Sequence, residues 1–144
     1  MHVRILILCT GNSCRSQMAE GMLRTIDPEL EVFSAGVNPA TRVSSKALAV
    51  MNEIGISLDG AYPKHVDQFL NDSFDYVITV CDHAKETCPV FFGKVKHHLH
   101  IGFEDPGNVS GTEEEVMGAH RRVRDEMREK LDEFYRSRIA HASQ

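Results

Sequence analysis

At 144 residues, 42% hydrophobic and 26% charged, the chain is sized and composed for one soluble globular domain, residues 1–144, with its own core. Its formal net charge of −5, with basic residues interspersed among acids, argues against the clustered positive field of a nucleic-acid binder. The longest early apolar run, Ile5 to Leu8, is too short for a signal-peptide core, and a spanning helix needs about 20 apolar residues; no membrane association is expected, and the cytoplasm is the expected location.

In chain order, Val3 to Leu8 is an almost unbroken aliphatic run that gives way abruptly to small and polar residues. Such a run predicts a strand buried on both faces, as in parallel sheets. From Ser16 to Ile26, apolar Met18, Met22, Leu23 and Ile26 recur at helical spacing, and Pro28 marks the stop. Val32 to Ala35 predicts a short second strand ended by Gly36. Ala47, Leu48, Met51 and Ile54 make a second helical stripe closed by Gly55. After a loop-like passage around Asp59 to Lys64, Tyr76 to Val80 predicts a third strand running straight into Cys81, and a fourth is expected within Lys96 to Ile101. The last helix has the clearest signature. Thr112 and Glu115 form a capping box, Glu113 to Glu115 suit the positive end of the helix dipole, and Arg136 and Arg138 fall near its end. Val116, Val123, Met127, Leu131 and Phe134 are its core stripe. Strands alternating with helices imply an α/β fold with a mostly parallel sheet covered on both faces. Ligands of such sheets bind beyond the carboxyl ends of the strands, where both Cys9 and Cys81 fall.

Cys9-Thr10-Gly11-Asn12-Ser13-Cys14-Arg15-Ser16 joins the first strand to the first helix. The backbone amides of a tight loop opening a helix point inward and form a nest for a tetrahedral oxyanion, here from Thr10, Gly11, Asn12, Ser13, Cys14 and Arg15. Gly11 is expected to supply a backbone conformation that a side chain would penalise. Arg15 offers a planar fork for two oxyanion oxygens. Cys9, at the base, feels the same positive field, which favours a nucleophilic thiolate, and Ser16 is placed to donate a hydrogen bond to its sulfur.

Cys9, Cys14, Cys81 and Cys88 are the four cysteines, and in a reducing compartment such residues are more often catalytic, redox-active or metal-binding than structural disulfides. Cys14 reads as a small buried hydrophobe. Cys81 and Cys88 stand seven apart. On a rigid helix that is about 10 Å along the axis, too far for a disulfide, so pairing them requires the helix to unwind. Together with His83, His97, His98 and His100 they also form a Cys/His-rich stretch that would suit Zn²⁺, but the spacing matches no common zinc pattern and no metal is expected.

The string from Cys9 to Gly21, C-T-G-N-S-C-R-S-Q-M-A-E-G, resembles the phosphate loop of the low-molecular-weight protein tyrosine phosphatase superfamily and, more narrowly, that of the thioredoxin-coupled arsenate reductases sharing its fold. The similarity continues through Ser34-Ala35-Gly36, Val77 to Cys81, Gly102-Phe103-Glu104-Asp105-Pro106 and Arg121 to Glu126. This resemblance implies a four-stranded parallel sheet with flanking helices, and Asp105 as general acid over the loop; from the residues alone an Asp-Pro is a turn former. It also implies a thiol relay. Arsenate sits in the loop and is attacked by Cys9, Cys81 attacks the adduct, Cys88 resolves the Cys9–Cys81 disulfide, and reduced thioredoxin, the electron donor, recycles the Cys81–Cys88 disulfide. No bound cofactor is implied. The rival is a plain phosphatase hydrolysing phosphotyrosine through a Cys9 phosphoenzyme, and some phosphatase activity is expected in either case. The cation site of some relatives is carried over only in part: Asn12 and Glu20 are present, but Ala61-Tyr62-Pro63-Lys64 does not supply the expected Thr/Asp pair. His97-His98-Leu99-His100 replaces a stretch that is commonly more aromatic and acidic.

Overall fold

The aliphatic opening run forms β1 (Arg4–Cys9), with five of its six residues buried. The computed structural model describes residues 2–82 and 84–140. With β2 (Glu31–Gly36), β3 (Ser73–Thr79) and β4 (Lys94–His100), β1 builds a four-stranded sheet in the order β2-β1-β3-β4, parallel throughout. The inner position of β1 is the reason its sequence is apolar on both faces. The outer strand β4 is mostly exposed, which accommodates His97, His98 and His100. The expected strands are all present, and β2, β3 and β4 begin earlier than their apolar residues do, because the backbone ladder runs on past the packed side chains.

Three α-helices complete the fold: α1 (Arg15–Ile26), α2 (Ser45–Asn52) and α3 (Glu113–Phe134). Their apolar stripes meet Ile5, Ile7 and Ile78 on one face of the sheet, through Met18, Met22, Val50, Met51, Val123, Met127 and Leu131. The other face packs Leu6, Leu8 and Val77 under a 3₁₀ turn, Val66–Phe69, and Phe91. The three α-helices share the first face, and the second is covered by that short 3₁₀ turn and Phe91. α2 stops short of its stripe: Ile54 lies beyond its last turn, and Gly55 turns the chain at a φ of 78°. α3 has the capping box read from its sequence, with Glu115 N–H donating to Thr112 Oγ1 at 3.1 Å and Thr112 N–H to Glu115 Oε1 at 3.3 Å. Arg136 and Arg138 fall in a short π-helical turn, Tyr135–Ile139, that continues it.

The crossovers differ in kind. α1 links β1 to β2, and α2 lies between β2 and β3, whereas the described residues between β3 and β4 hold no α-helix. Parallel neighbours usually need a helical crossover. The connection that lacks one carries Cys81 and Cys88.

Candidate active site

The loop Cys9 to Arg15 begins at the carboxyl end of β1 and ends on the first turn of α1. Its carbonyls are turned outward and satisfied by the segment before α2. Thr10 O accepts from Asn38 N–H at 2.9 Å, Gly11 O from Ala40 N–H at 2.9 Å, and Ser13 O from Ser44 N–H at 2.8 Å. Fixing the carbonyls outside leaves the amides to face inward. Cys14, the N-cap of α1, makes no side-chain cap hydrogen bond, and the first turn carries no acidic residue. The positive end of the helix is therefore open to an anion rather than closed by its own side chains.

Cys9 lies at the floor, 3% exposed. Its Sγ is 2.9 Å from Ser16 Oγ, and Asn12 N–H donates to it at 3.1 Å. Asn12 is fully buried and braces the loop from within. Its Nδ2 donates to Ser16 Oγ at 2.7 Å and Ser34 Oγ at 2.9 Å, while its Oδ1 accepts from Lys64 N–H at 2.9 Å and Gln17 Nε2 at 3.1 Å. That oxygen accepts two hydrogen bonds, and Glu20, the other residue matching the cation site of some relatives, pairs with Arg24 at 3.4 Å.

The expectation for Gly11 needs correction. Its φ is not left-handed, and a Cβ there would meet only Ser13 Oγ, at 3.6 Å. The residue with positive φ is Asn12, at 50°, and asparagine is among the few L residues that tolerate that region. The glycine that the loop requires is Gly36, opposite Cys9 in the β1–β2 register. A Cβ on Gly36 would fall closer to Thr10 O, a backbone atom, than any real contact allows, and 3.1 Å from Asn12 N.

Arg15 is almost fully enclosed, with 6% of its side chain exposed. Burial works against its charge, but hydrogen bonding to Glu86 and the nearby Asp105 charge raise its pKa above the ordinary arginine value. Nη1 donates to Glu86 Oε2 at 2.5 Å and Phe103 O at 3.1 Å, and Nη2 to Glu86 Oε1 at 3.0 Å. Asp105 Oδ2 is 3.7 Å from Nη2. Asp105 is also the turn former its Asp-Pro setting suggested: Oδ1 caps the 3₁₀ turn Pro106–Asn108, accepting from Gly107 N–H at 2.9 Å. Glu86 was not singled out in the sequence, where it is one of two acids between Cys81 and Cys88.

Cys14 has its thiol pKa pushed up to about 12 by burial and the Asp105 charge, which makes it an inert packing residue against Met18. Cys81 and Cys88 form a disulfide, with Cα atoms 5.7 Å apart. Asp82 and residues 84–88 make a tight turn, closed by Lys85 and Glu86 N–H groups donating to Asp82 O at 3.1 and 2.9 Å. The shortening from the helical separation satisfies the condition set by the spacing. Cys81 is fully buried, while Cys88 is partly exposed. Cys81 follows Val80, whose N–H donates to Leu8 O at 3.1 Å, and Cys9 follows Leu8. The two cysteines thus leave adjacent strands, whose backbones lie about 5 Å apart.

For the Cys/His stretch, Cys81, Cys88 and His100 offer ligand atoms within 4.8 Å of one another, with both sulfurs joined in the disulfide. His97 stacks on Tyr76 instead, with ring centroids 5.2 Å apart. His83 lies outside the described residues.

Comparison with known proteins places this geometry among relatives. The family model for low molecular weight phosphotyrosine protein phosphatase matches residues 4–143. An arsenate reductase of Halalkalibacterium halodurans is 43% identical over 131 residues, covering 90% of this chain and 93% of that protein. A solved arsenate reductase in its phosphate-binding state superposes with a TM-score of 0.78 at 29% identity, covering 94% of this chain and 98% of that one. A thioredoxin-dependent arsenate reductase of Corynebacterium glutamicum superposes at 0.67 with 27% identity, covering 99% of this chain and 64% of that one.

Proposed function

This chain belongs to the low molecular weight phosphotyrosine protein phosphatase family, and from that premise we propose that it reduces arsenate to arsenite with its own thiols and is recycled by thioredoxin. The observation that carries the reading is the Cys81–Cys88 disulfide beside the anion loop, on a crossover whose described residues hold no α-helix. A hydrolytic phosphatase needs one thiolate, an arginine and an acid. It has no use for a redox-active cysteine pair.

Arsenate, a tetrahedral oxyanion like phosphate, sits in the loop on the backbone amides and the Arg15 fork. The Cys9 thiolate attacks arsenic, and Asp105 gives a proton to the departing oxygen, which leaves as water. Cys81 thiolate then attacks Cys9 Sγ. The S–As electron pair stays on arsenic, taking it from As(V) to As(III), and arsenite leaves as a Cys9–Cys81 disulfide forms. Cys88 thiolate attacks Cys81, releasing Cys9 as thiolate and producing the Cys81–Cys88 disulfide. A thioredoxin dithiol returns two electrons and two protons to that pair and is itself oxidised. Partial exposure of Cys88, against full burial of Cys81, makes Cys88 the sulfur a protein reductant reaches first.

The test is NADPH consumption with arsenate, thioredoxin and thioredoxin reductase, run beside hydrolysis of an aryl phosphate. Arsenate-dependent turnover that requires thioredoxin supports the reading. Aryl phosphate hydrolysis with no arsenate turnover returns the protein to the phosphatases.

A further inference from the structure

Glu86 holds Arg15 as an oxyanion would. Both carboxylate oxygens face both terminal nitrogens of the guanidinium, at 2.5 and 3.0 Å, in the two-toothed geometry expected of a bound arsenate or phosphate. The carboxylate belongs to the redox segment, five residues after Cys81 and two before Cys88. Its place depends on the turn that the disulfide closes. Asp82 N–H donates to Glu86 Oε2 at 3.0 Å, and Glu86 N–H to Asp82 O at 2.9 Å, so the turn itself aims the side chain inward. Arg15 also donates to Phe103 O, which leaves its fork few free directions. The pair is largely enclosed, with 6% and 23% of the two side chains exposed. Hydrogen bonding to Arg15 holds the Glu86 carboxyl below the usual carboxylate range, so it is charged at neutral pH.

We infer that Glu86 is an internal stand-in for the substrate: when Cys81 and Cys88 are joined, it occupies the Arg15 seat and excludes oxyanions from the loop. The inference rests on the proposed loop function and extends it. Reduction of the disulfide by a dithiol, two electrons and two protons in and an oxidised dithiol out, frees the turn to reopen and withdraws the carboxylate. The spent enzyme is thereby closed to arsenate until its thiols are restored, and Cys9 is not consumed in an adduct that no thiol can resolve. Thermodynamic reciprocity adds a second consequence. If the disulfide weakens oxyanion binding by some factor, oxyanion binding disfavours the disulfide by the same factor.

The experiment uses inorganic phosphate as probe and the full chain in two defined states, fully reduced and oxidised only at Cys81–Cys88, the latter verified by peptide mapping. Phosphate affinity is measured by calorimetry and by protection of Cys9 from iodoacetamide. Reduced protein should bind phosphate, and oxidised protein should bind about 10- to 100-fold more weakly, within the usual range of coupling between sites. Glu86→Gln and Glu86→Ala should bring the oxidised protein to within about threefold of the reduced, whereas Lys85→Gln on the same turn should leave the gap intact. Saturating phosphate should make the wild-type disulfide easier to reduce, by about 30 mV for each tenfold of that gap, and should have no such effect in Glu86→Gln. Equal affinity in the two wild-type states, or an undiminished gap in both Glu86 variants, overturns the inference while leaving the loop assignment standing. No phosphate binding by the reduced wild type overturns both.

Discussion

Two carboxylates lie beside Arg15, and their different holds on it separate their roles. Glu86 makes both fork contacts, whereas Asp105 stands off at 3.7 Å with one oxygen committed to its own turn. An acid that must give up a proton to a leaving oxygen is served by that looser contact. Asp105→Asn should lower turnover by about 10²- to 10⁴-fold, the scale of losing a positioned acid, with phosphate affinity of the reduced enzyme unchanged or slightly tighter because a negative charge is gone. Steady-state rates and calorimetry on the same variant check this; lost binding with preserved turnover would mark Asp105 as a turn residue alone. Cys9→Ser should abolish arsenate reduction and aryl phosphate hydrolysis together, since both begin with one thiolate. Arg15→Lys should be nearly as damaging, because a point charge does not replace a planar fork. More than trace activity in Cys9→Ser, in either assay, contradicts the loop assignment.

The loop and the redox turn are elements of opposite character, and each yields its own test. The loop is rigid by construction, with its carbonyls tied to the segment before α2 and its back pressed on Gly36. Gly36→Ala must push a backbone carbonyl aside, so it should destabilise the protein by about 1–3 kcal/mol and cut kcat/KM about tenfold or more, read by denaturant melts and kinetics. The redox turn has no helix among its described residues, and its chemistry is ordered. Cys88→Ser should release about one arsenite per enzyme and then stop with Cys9 joined to Cys81, because Cys81 expels arsenite before Cys88 is needed. Cys81→Ser should stop before arsenite leaves. Quenched-reaction arsenite counting with peptide mapping decides it, and sustained thioredoxin-dependent turnover by Cys88→Ser would break the relay. These two elements also mark what the sequence reveals and what it hides. The strand-loop-helix around Cys9 and the capping box of α3 are legible because spacing, pattern and cap chemistry are local. The Arg15–Glu86 contact joins residues 71 apart and depends on a turn that helical spacing argues against, so no local pattern announces it. Nor does a string containing Gly11 disclose that Asn12 takes the left-handed position and that Gly36, on the neighbouring strand, is the glycine the loop requires.

For the molecule as a whole, the helical layer is tied together by α3. Arg124 Nη1 donates to Val50 O at 2.9 Å and Glu53 Oε1 at 2.7 Å, and Arg121 Nη2 meets Glu53 Oε2 at 2.7 Å. Arg121 and then Arg124 lower the Glu53 pKa from the usual 4.5 to about 2. A carboxyl depressed on folding contributes stability that is present above its unfolded pKa and is lost as pH falls through the folded one. That contribution should therefore fade between about pH 5 and pH 2, and Glu53→Gln should flatten this acid limb in melting temperatures followed against pH. The effect should be modest and salt-sensitive, since the Glu53 and Arg121 side chains are exposed. The redox bond acts on stability quite differently. The ring it closes runs only from Cys81 to Cys88, so it removes little freedom from the unfolded chain, less than the about 3 kcal/mol assigned to a 15-residue loop. The crossover is also pinned on either side of the changing stretch, by Cys81 at the end of the sheet and by Phe91, 3% exposed, in the aromatic cluster beneath it. Each catalytic cycle makes and breaks a covalent cross-link between these two posts. The change of oxidation state is thereby confined to the stretch between them and to the Arg15 seat that its carboxylate reaches.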